Sequence, residues 1–262
     1  MSEEHKLYIK KVKRKKRSIL ITQISILFLF IILWELASHF KLINTFLTSS
    51  PSLVIKNIIF LYNDGTLFNH IFITTYETII SFFLGTLIGL LIASIMWWND
   101  FIAKVINPYL TVLNSLPKVA LGPILIIWAG ANMNSIIIMA LLISVIITII
   151  NAYHGFSSVD ENRIKLFKSF KATKWQIFTH LIIPSNINTI FNILKINVSM
   201  SLIGVIMGEL LVSKEGLGYL IMYGSQVFNL NLVMTGIILL CLLSIIIYYI
   251  IVRIEKKFIK FF

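Results

Sequence analysis

The sequence of 262 residues is poor in the side chains that build catalytic or metal sites. Its one cysteine, Cys241, lies in an apolar run, so it offers neither a disulfide framework nor a cysteine metal site. The five histidines are scattered without ligand spacing, which leaves a metal site unsupported. No Gly-x-x-x-x-Gly-Lys-Ser/Thr loop occurs, so ATP hydrolysis would require a partner protein. We assign no catalytic or metal-binding residue, and a membrane enzyme lacks its expected residue cluster.

Charge is also scarce. Only 13% of the residues are charged, 58% are hydrophobic, and the mean hydropathy is +0.90. A soluble domain of this length would need a more polar exterior. The net charge of +12 could suggest nucleic-acid binding, but the basic residues cluster at the edges of apolar segments, as in membrane proteins. We therefore predict a protein of the lipid bilayer with no nucleic-acid partner.

Apolar runs of about 20 residues recur, and this is the length that crosses a bilayer. We predict an all-α protein with six transmembrane helices at 19–39, 71–97, 119–129, 135–153, 190–211 and 232–252. A short helix at 101–114 and a break at Leu116-Pro117-Lys118 precede the third span. Another short helix, at the membrane interface, is predicted at 51–61, since Ser50-Pro51 is a typical helix start. Residues 213–231 are predicted to form a loop.

The predicted organisation follows from these spans. A basic tail (1–18) precedes the first span and an external segment (19–70), then a five-helix core (71–252) contains a polar segment at 155–184, and a second basic tail ends the chain (253–262). The first apolar run is too long for a signal peptide. The two tails and the polar segment hold eight, four and five Lys/Arg, whereas the opposite-side loops hold only Lys41, Lys56 and Lys214. The positive-inside rule thus predicts a multi-pass plasma-membrane protein with both termini in the cytoplasm.

Small residues recur every four positions in the second span. Ser81, Gly85, Gly89 and Ala93 therefore share one helical face. Such a stripe lets the backbones of two membrane helices approach closely. We predict a helix–helix contact there.

The only long polar segment between spans contains DENRIKLFKSFKATKWQIFTHLIIP at 160–184. Ile164, Phe167 and Phe170 recur every three residues, while the lysines between them point to other faces. This pattern predicts a short amphipathic helix that cannot span a membrane. It could lie on anionic lipid. The interpretation we favour is that Phe167 and Phe170 insert into a groove on a cytoplasmic partner.

The spacing of this segment resembles the cytoplasmic loop of ABC importer permeases, in which Glu-Ala-Ala is followed after three residues by Gly and later by Pro. Here Lys165-Leu166-Phe167, Lys171 and Pro184 occupy those positions. Flanking motifs resemble the nitrate/sulfonate/taurine and thiamine-precursor branch of these binding-protein-dependent inner-membrane components. These motifs are Leu116-Pro117-Lys118-Val119-Ala120-Leu121-Gly122-Pro123, Ile127-Trp128-Ala129-Gly130, Ala172-Thr173-Lys174-Trp175-Gln176, Leu181-Ile182-Ile183-Pro184, Gly208-Glu209 and Glu215-Gly216-Leu217-Gly218-Tyr219-Leu220-Ile221.

The resemblance covers about 71–252 and implies a MetI-like permease bundle with a cytoplasmic coupling helix. Two such permeases would pair around a pathway for a small solute, with a homodimer as the expected pair and a related chain as the open alternative. They would dock on ABC ATPase subunits that bind ATP-Mg, and an extracellular or periplasmic solute-binding protein would deliver cargo. The chain itself would need no cofactor. The implied ATPase-coupling residues are Lys165, Leu166, Phe167, Ser169, Phe170, Lys171 and Ala172. The alternative is a secondary transporter or channel that works without an ATPase.

Polar residues inside spans are costly and usually face the bundle interior or a watery cavity. The candidates for the translocation pathway or its gating are Asn197, Ser201, Glu209, Gly216 and Gly218. For Glu209 we favour a role in holding the turn at 215–218 or a partner helix over contact with cargo. We interpret Glu35 and Glu77 as structural, and we expect Asn197 to be the better ligand if the cargo is anionic.

Overall fold

The computed structural model describes residues 3–259, and this part of the chain is helical with no strand. Its thirteen α-helices are α1 (Glu3–His39), α2 (Thr45–Thr48), α3 (Pro51–Asn63), α4 (Leu67–Trp98), α5 (Asp100–Ser115), α6 (Gly122–Ala129), α7 (Met133–Ser157), α8 (Glu161–Ser169), α9 (Lys174–Ile177), α10 (Ile183–Ser185), α11 (Ile187–Val212), α12 (Leu217–Gln226) and α13 (Leu230–Ile259). A 3-10 helix (Lys118–Leu121) precedes α6, and a π-helix (Phe178–Ile182) joins α9 to α10.

Helices α4, α7 and α11 pack against one another and form the centre of the bundle. The predicted small-residue stripe is confirmed as the contact between α4 and α7, because Gly85 abuts Ser144 and Gly89 abuts Thr148. A Cβ atom at Gly89 would lie 2.5 Å from Cβ of Thr148. At its contact with α11, a Cβ at Gly204 of α11 would meet the backbone of Ala140 of α7. Glycine is needed at both contacts because the helix axes are so close.

The peripheral helices surround this centre. The apolar part of α1 is exposed within the single chain, and α1 is joined to α3 by the Ser52 backbone N–H, which donates to Glu35 Oε2 over 3.0 Å. The predicted helix at 51–61 is confirmed as α3, where Ser50 caps the first turn. In the described residues the two basic tails are helical and extend the first and last spans. Helix α1 already begins at Glu3, and α13 continues to Ile259.

The third predicted span requires correction. Residues 119–129 contain one 3-10 turn and the eight residues of α6, which at about 1.5 Å per residue cannot cross a bilayer. Helix α5 and the 118–129 unit meet at a bend of 89° around Pro117. Five helices are long and apolar enough to span, and a sixth span exists if this bent pair counts as one. Proline causes the break because it lacks a backbone N–H and displaces the preceding residue from helical geometry.

The predicted loop at 213–231 is wrong as well, because ten of its residues form α12. Leu217 and Leu220 of α12 are buried in a cluster with Leu239 and Leu243 of α13. The segment has polar residues, but its apolar side chains recur at helical spacing and cover the bundle. The remaining predicted spans are confirmed with somewhat longer bounds, as α1, α4, α7, α11 and α13.

Candidate functional site

Two regions at opposite ends of α4 contain the predicted site residues. Thr74, near the start of α4, contacts Glu209, whereas Trp98, at its end, contacts Lys174. These two α4 residues are 24 positions apart in one helix, which corresponds to about 36 Å. We call the region around Glu209 the polar junction (Thr74, Glu209, Gly216, Gly218) and the other region the 160–184 segment.

The 160–184 segment begins with α8, a nine-residue helix capped at Asp160, whose side chain accepts a hydrogen bond from the Asn162 N–H over 2.9 Å. Its end is a Schellman motif. The Lys171 N–H donates to Lys168 O over 2.9 Å, and the Ala172 N–H donates to Phe167 O over 3.1 Å. The helix therefore stops sharply after Phe170 and has a defined shape.

Lys171 has a left-handed backbone conformation, with a φ of 57°. This conformation closes the Schellman motif, and glycine adopts it most easily because it has no Cβ. Lys171 stands at the position where the resembled pattern has Gly. The sequence thus departs from the pattern in its residue type but keeps the backbone geometry that the glycine would provide.

The apolar side chains of α8 divide between two faces. Ile164 and Phe167 are partly buried and pack with Ala172 against the bundle cluster that contains Phe156 and Phe178. Leu166 and Phe170, in contrast, are 55% and 77% exposed. The predicted pair of protruding residues, Phe167 and Phe170, is therefore split. The exposed apolar pair of this surface is Leu166 and Phe170.

The polar residues of α8 lie on its surface. Lys165 forms an exposed ion pair with Glu161, with 3.7 Å between Nζ and Oε2. Ser169 donates a hydrogen bond from Oγ to Leu166 O over 2.7 Å, near the end of the helix. Exposed ion pairs contribute little to stability. Neither residue fixes α8 to the bundle.

The segment is connected to α4 through Lys174 and a group of aromatic rings. Lys174 donates from Nζ to Trp98 O at the end of α4, and its ammonium group lies over the Trp97 and Trp98 rings at 5.9 Å from each centroid. The centroid of the Phe178 ring lies 5.0 Å from that of Trp97 and 5.7 Å from that of Phe156. A displacement of α8 would therefore be passed to the ends of α4 and α7.

Glu209 is the centre of the polar junction and is fully buried. Its Oε1 accepts a hydrogen bond from Thr74 Oγ1 over 2.6 Å, and its Oε2 accepts one from the Gly218 N–H over 2.5 Å. Thr74 Oγ1 in turn accepts a bond from the Leu217 N–H over 2.8 Å. The interpretation that Glu209 holds the following turn is confirmed by these bonds. Its part in translocation stays a prediction.

Two glycines bring the turn close to this carboxyl group. Gly216 has a φ of 104°, and a Cβ there would lie 2.5 Å from both carboxyl oxygens of Glu209. A Cβ at Gly218 would lie 2.9 Å from Oε2. The Gly216 N–H donates to His70 Nδ1 over 3.0 Å. The sequence analysis did not identify His70 or Thr74. Their four-residue spacing, which continues to Thr78, places these polar residues on one face of α4 and could have suggested them.

The other predicted pathway residues lie deeper between α4 and α11. Asn197 is buried, and its Nδ2 donates to Thr86 Oγ1 over 2.5 Å. Ser201, one turn further along, is also buried. Asn197 Oδ1 and Ser201 Oγ have no hydrogen-bond partner among the residues that the structure describes. Within residues 3–259, no hydrogen bond joins Asn197 or Ser201 to the polar junction.

The family model of the binding-protein-dependent transport system inner membrane component matches residues 85–260. The chain belongs to this family. It is accordingly a multi-pass inner-membrane permease subunit of an ABC importer, a kind of subunit that is not itself catalytic. The matched range contains α7, α8 and α11 completely and the second half of α4 from residue 85 on, so it includes the 160–184 segment and every residue of the polar junction except Thr74.

Similar proteins support the same assignment. The chain is 29% identical over 205 residues to the formylaminopyrimidine transport permease protein ThiX of Halalkalibacterium halodurans, covering 78% of this chain and 81% of the relative. It is 24% identical to the putative aliphatic sulfonates transport permease protein SsuC of Bacillus subtilis, covering 88% and 83%. It is 21% identical to the taurine transport system permease protein TauC of Escherichia coli, covering 80% and 78%.

A solved structure shares the fold. The inward-facing MetNI methionine ABC transporter superposes with a TM-score of 0.66 at 17% identity, over 74% of this chain and 96% of that chain. The predicted MetI-like permease fold is therefore confirmed.

Proposed function

We propose that this permease imports a small organic solute, that a separate ATPase drives the import, and that the 160–184 segment couples the two. The single observation that carries this proposal is the exposed apolar pair Leu166 and Phe170 on a helix that is fixed to the bundle from its other face. Large apolar side chains that stay exposed beside polar residues are typical of an interaction site. The ATPase would supply bound ATP-Mg and close around this helix.

The mechanical argument is that α8 has one face for the partner and one for the bundle. Phe167 and Ile164 pack into the cluster with Phe178, and Lys174 bonds to the end of α4. When the ATPase moves Leu166 and Phe170, the packed face transmits the displacement because close-packed interiors resist compression. Alternating access would follow as this displacement moves the bundle between outward-open and inward-open arrangements.

The orientation of the chain in the membrane is part of the same proposal. Both termini and the 160–184 segment would face the cytoplasm, because these regions contain most of the Lys and Arg. The polar junction and α12 would then face outward, where a solute-binding protein releases cargo. A second copy of the chain would complete the pathway, and the exposed apolar faces of α1 and α13 would contact lipid or that copy.

The cargo class follows from relatives whose printed names cover formylaminopyrimidine, aliphatic sulfonates and taurine. We propose a cargo similar in size to these three compounds. The test is uptake of each compound into vesicles that contain the permease, its ATPase and its solute-binding protein. Uptake of at least one of these compounds should require ATP on the side of the vesicle membrane where the ATPase is bound. If the purified permease alone moves the same solute down its gradient at an equal rate, a channel or secondary transporter is the correct assignment.

A further inference from the structure

A cavity of about 590 Å³ lies at the same end of the bundle as the polar junction. It lies between α4, the turn before α7, and the end of α11. Its apolar lining includes Ile73 and Ile136, and its polar lining includes Glu77, Asn132 and Lys214. A concave, mainly apolar cavity of several hundred Å³ with a few polar groups is typical of a small-molecule site.

Glu77 is the unusual member of this lining. Its side chain is only 2% exposed, and Oε2 has no hydrogen-bond partner in the described part of the chain. Glu209 on α11 is the other buried acid of the described residues. The oxygens of Glu209, however, already accept bonds from Thr74 and Gly218. Glu77 is therefore the carboxyl group of this pair with unused capacity to accept hydrogen bonds.

A buried carboxyl group without a partner is unfavourable, since it has lost its hydration. Neither Glu77 nor Glu209 forms an ion pair within residues 3–259. Lys214 lines the same cavity, but it is exposed and forms no ion pair with Glu77. A positively charged N–H donor entering the cavity would supply the missing partner.

The size and lining of the cavity favour an organic ligand over a bare metal ion. Hard cations require a cage of about six to eight oxygens, and within residues 3–259 no three His, Cys, Asp or Glu side chains form a group that could hold a metal ion. The volume is also far larger than an ion needs. An apolar body would contact Ile73 and Ile136 while a charged head reached Glu77.

We propose that this cavity binds a small organic molecule through an ammonium or amidinium group held by Glu77, with Ile73 and Ile136 contacting its apolar body. The identification of this ligand as cargo rests on the proposed import function. The binding itself does not, because it requires neither ATP nor transport. A failure of binding and a failure of uptake are thus separate results.

The test uses three probes of similar shape and different charge on the full chain in phosphatidylcholine nanodiscs. Benzamidine is cationic, benzamide is neutral, and benzenesulfonate is anionic. Titration calorimetry should give saturable binding of benzamidine, with at least about 10-fold weaker binding of the other two. Glu77→Gln keeps the shape of the side chain and removes its charge, so it should weaken benzamidine binding by about 10-fold or more.

Two further variants keep the test decisive. Ala131→Trp adds bulk to the lining without changing charge and should also weaken benzamidine binding. Asp64→Asn removes an exposed acid outside the cavity lining and should leave binding unchanged. The proposal is overturned if benzamidine shows no saturable binding up to about 10 mM, a limit that corresponds to negligible affinity. It is equally overturned if benzenesulfonate binds as well, or if either Glu77→Gln or Ala131→Trp binds benzamidine like the unaltered chain.

Discussion

The two ends of α4 are built in opposite ways. At the polar junction, Glu209 is fully buried and its hydrogen bonds reach α4 and α12, so three elements are fixed to one carboxyl group. In the 160–184 segment, α8 has no buried residue and its ion pair lies at the surface. The first region resists change, while the second exposes the apolar side chains on which we propose that an ATPase docks. A transporter moved by another protein needs both a rigid frame and an accessible contact.

The largest stability loss is expected for Gly216→Ala. The new Cβ would combine a strained backbone at φ 104° with contact to the Glu209 carboxyl oxygens. We expect the free energy of unfolding in detergent to fall by about 3 kcal/mol or more. The matched control is Gly65→Ala, which has a φ of 78° but no atom within 4 Å of the new Cβ. It should cost about 1 kcal/mol, and an equal loss in both variants would contradict the role of the close approach.

Glu209→Ala is expected to rank second. It leaves the Gly218 N–H and Thr74 Oγ1 without their buried acceptor. The cost should be about 2–3 kcal/mol, as measured by denaturation of the purified protein. Glu161→Ala removes an exposed carboxyl group at the other end of the bundle and should change stability by no more than about 0.5 kcal/mol. Similar values for the two variants would remove the contrast between the two regions.

Phe167→Ala should have an intermediate effect. This ring packs on the cluster around Phe178, but it is only partly buried. We expect a loss of about 1–2 kcal/mol and faster amide hydrogen exchange confined to α8 and the residues that follow it. Unchanged exchange in α8 would show that Phe167 does not fix the helix to the bundle.

Lys171→Gly is expected to have the smallest effect and the opposite sign. Glycine removes the Cβ that is unfavourable at φ 57°, although it also increases the freedom of the unfolded chain. The net stabilisation should be about 0.5–1 kcal/mol, visible as slower exchange of the Ala172 N–H in the Schellman motif. A destabilised motif would mean that the lysine side chain has a contact of its own there.

Hydropathy and spacing predicted the membrane bundle and the contact between α4 and α7 because these depend on local composition. The broken span at Pro117 was harder, since the apolar run continues on both sides of the bend. Helix α12 was missed because its two glycines and the polar residues on both sides of it give the segment the composition of a loop. Its burial depends on α13, which local sequence does not reveal.

The site was predicted in part. The segment around α8 was found through its spacing, but a three-residue period placed Phe167 and Phe170 together. Positions 164 and 167 form one face of a helix, and positions 166 and 170 form another, which matches the observed division. Sequence also suggested that Glu209 holds the turn at 215–218. The cavity at Glu77 could not be predicted because three distant segments form it.

The central claim is that the exposed face of α8 passes the movement of an ATPase to the bundle. The most direct test is ATP-driven uptake by Leu166→Ala/Phe170→Ala in vesicles that contain the ATPase and the solute-binding protein. Both side chains are exposed, so stability should change by no more than about 0.5 kcal/mol. We predict that uptake falls at least about 10-fold, since exposed apolar anchors contribute most of the binding energy at protein contacts. Uptake equal to that of the unaltered permease, at equal amounts of inserted protein, would contradict the account.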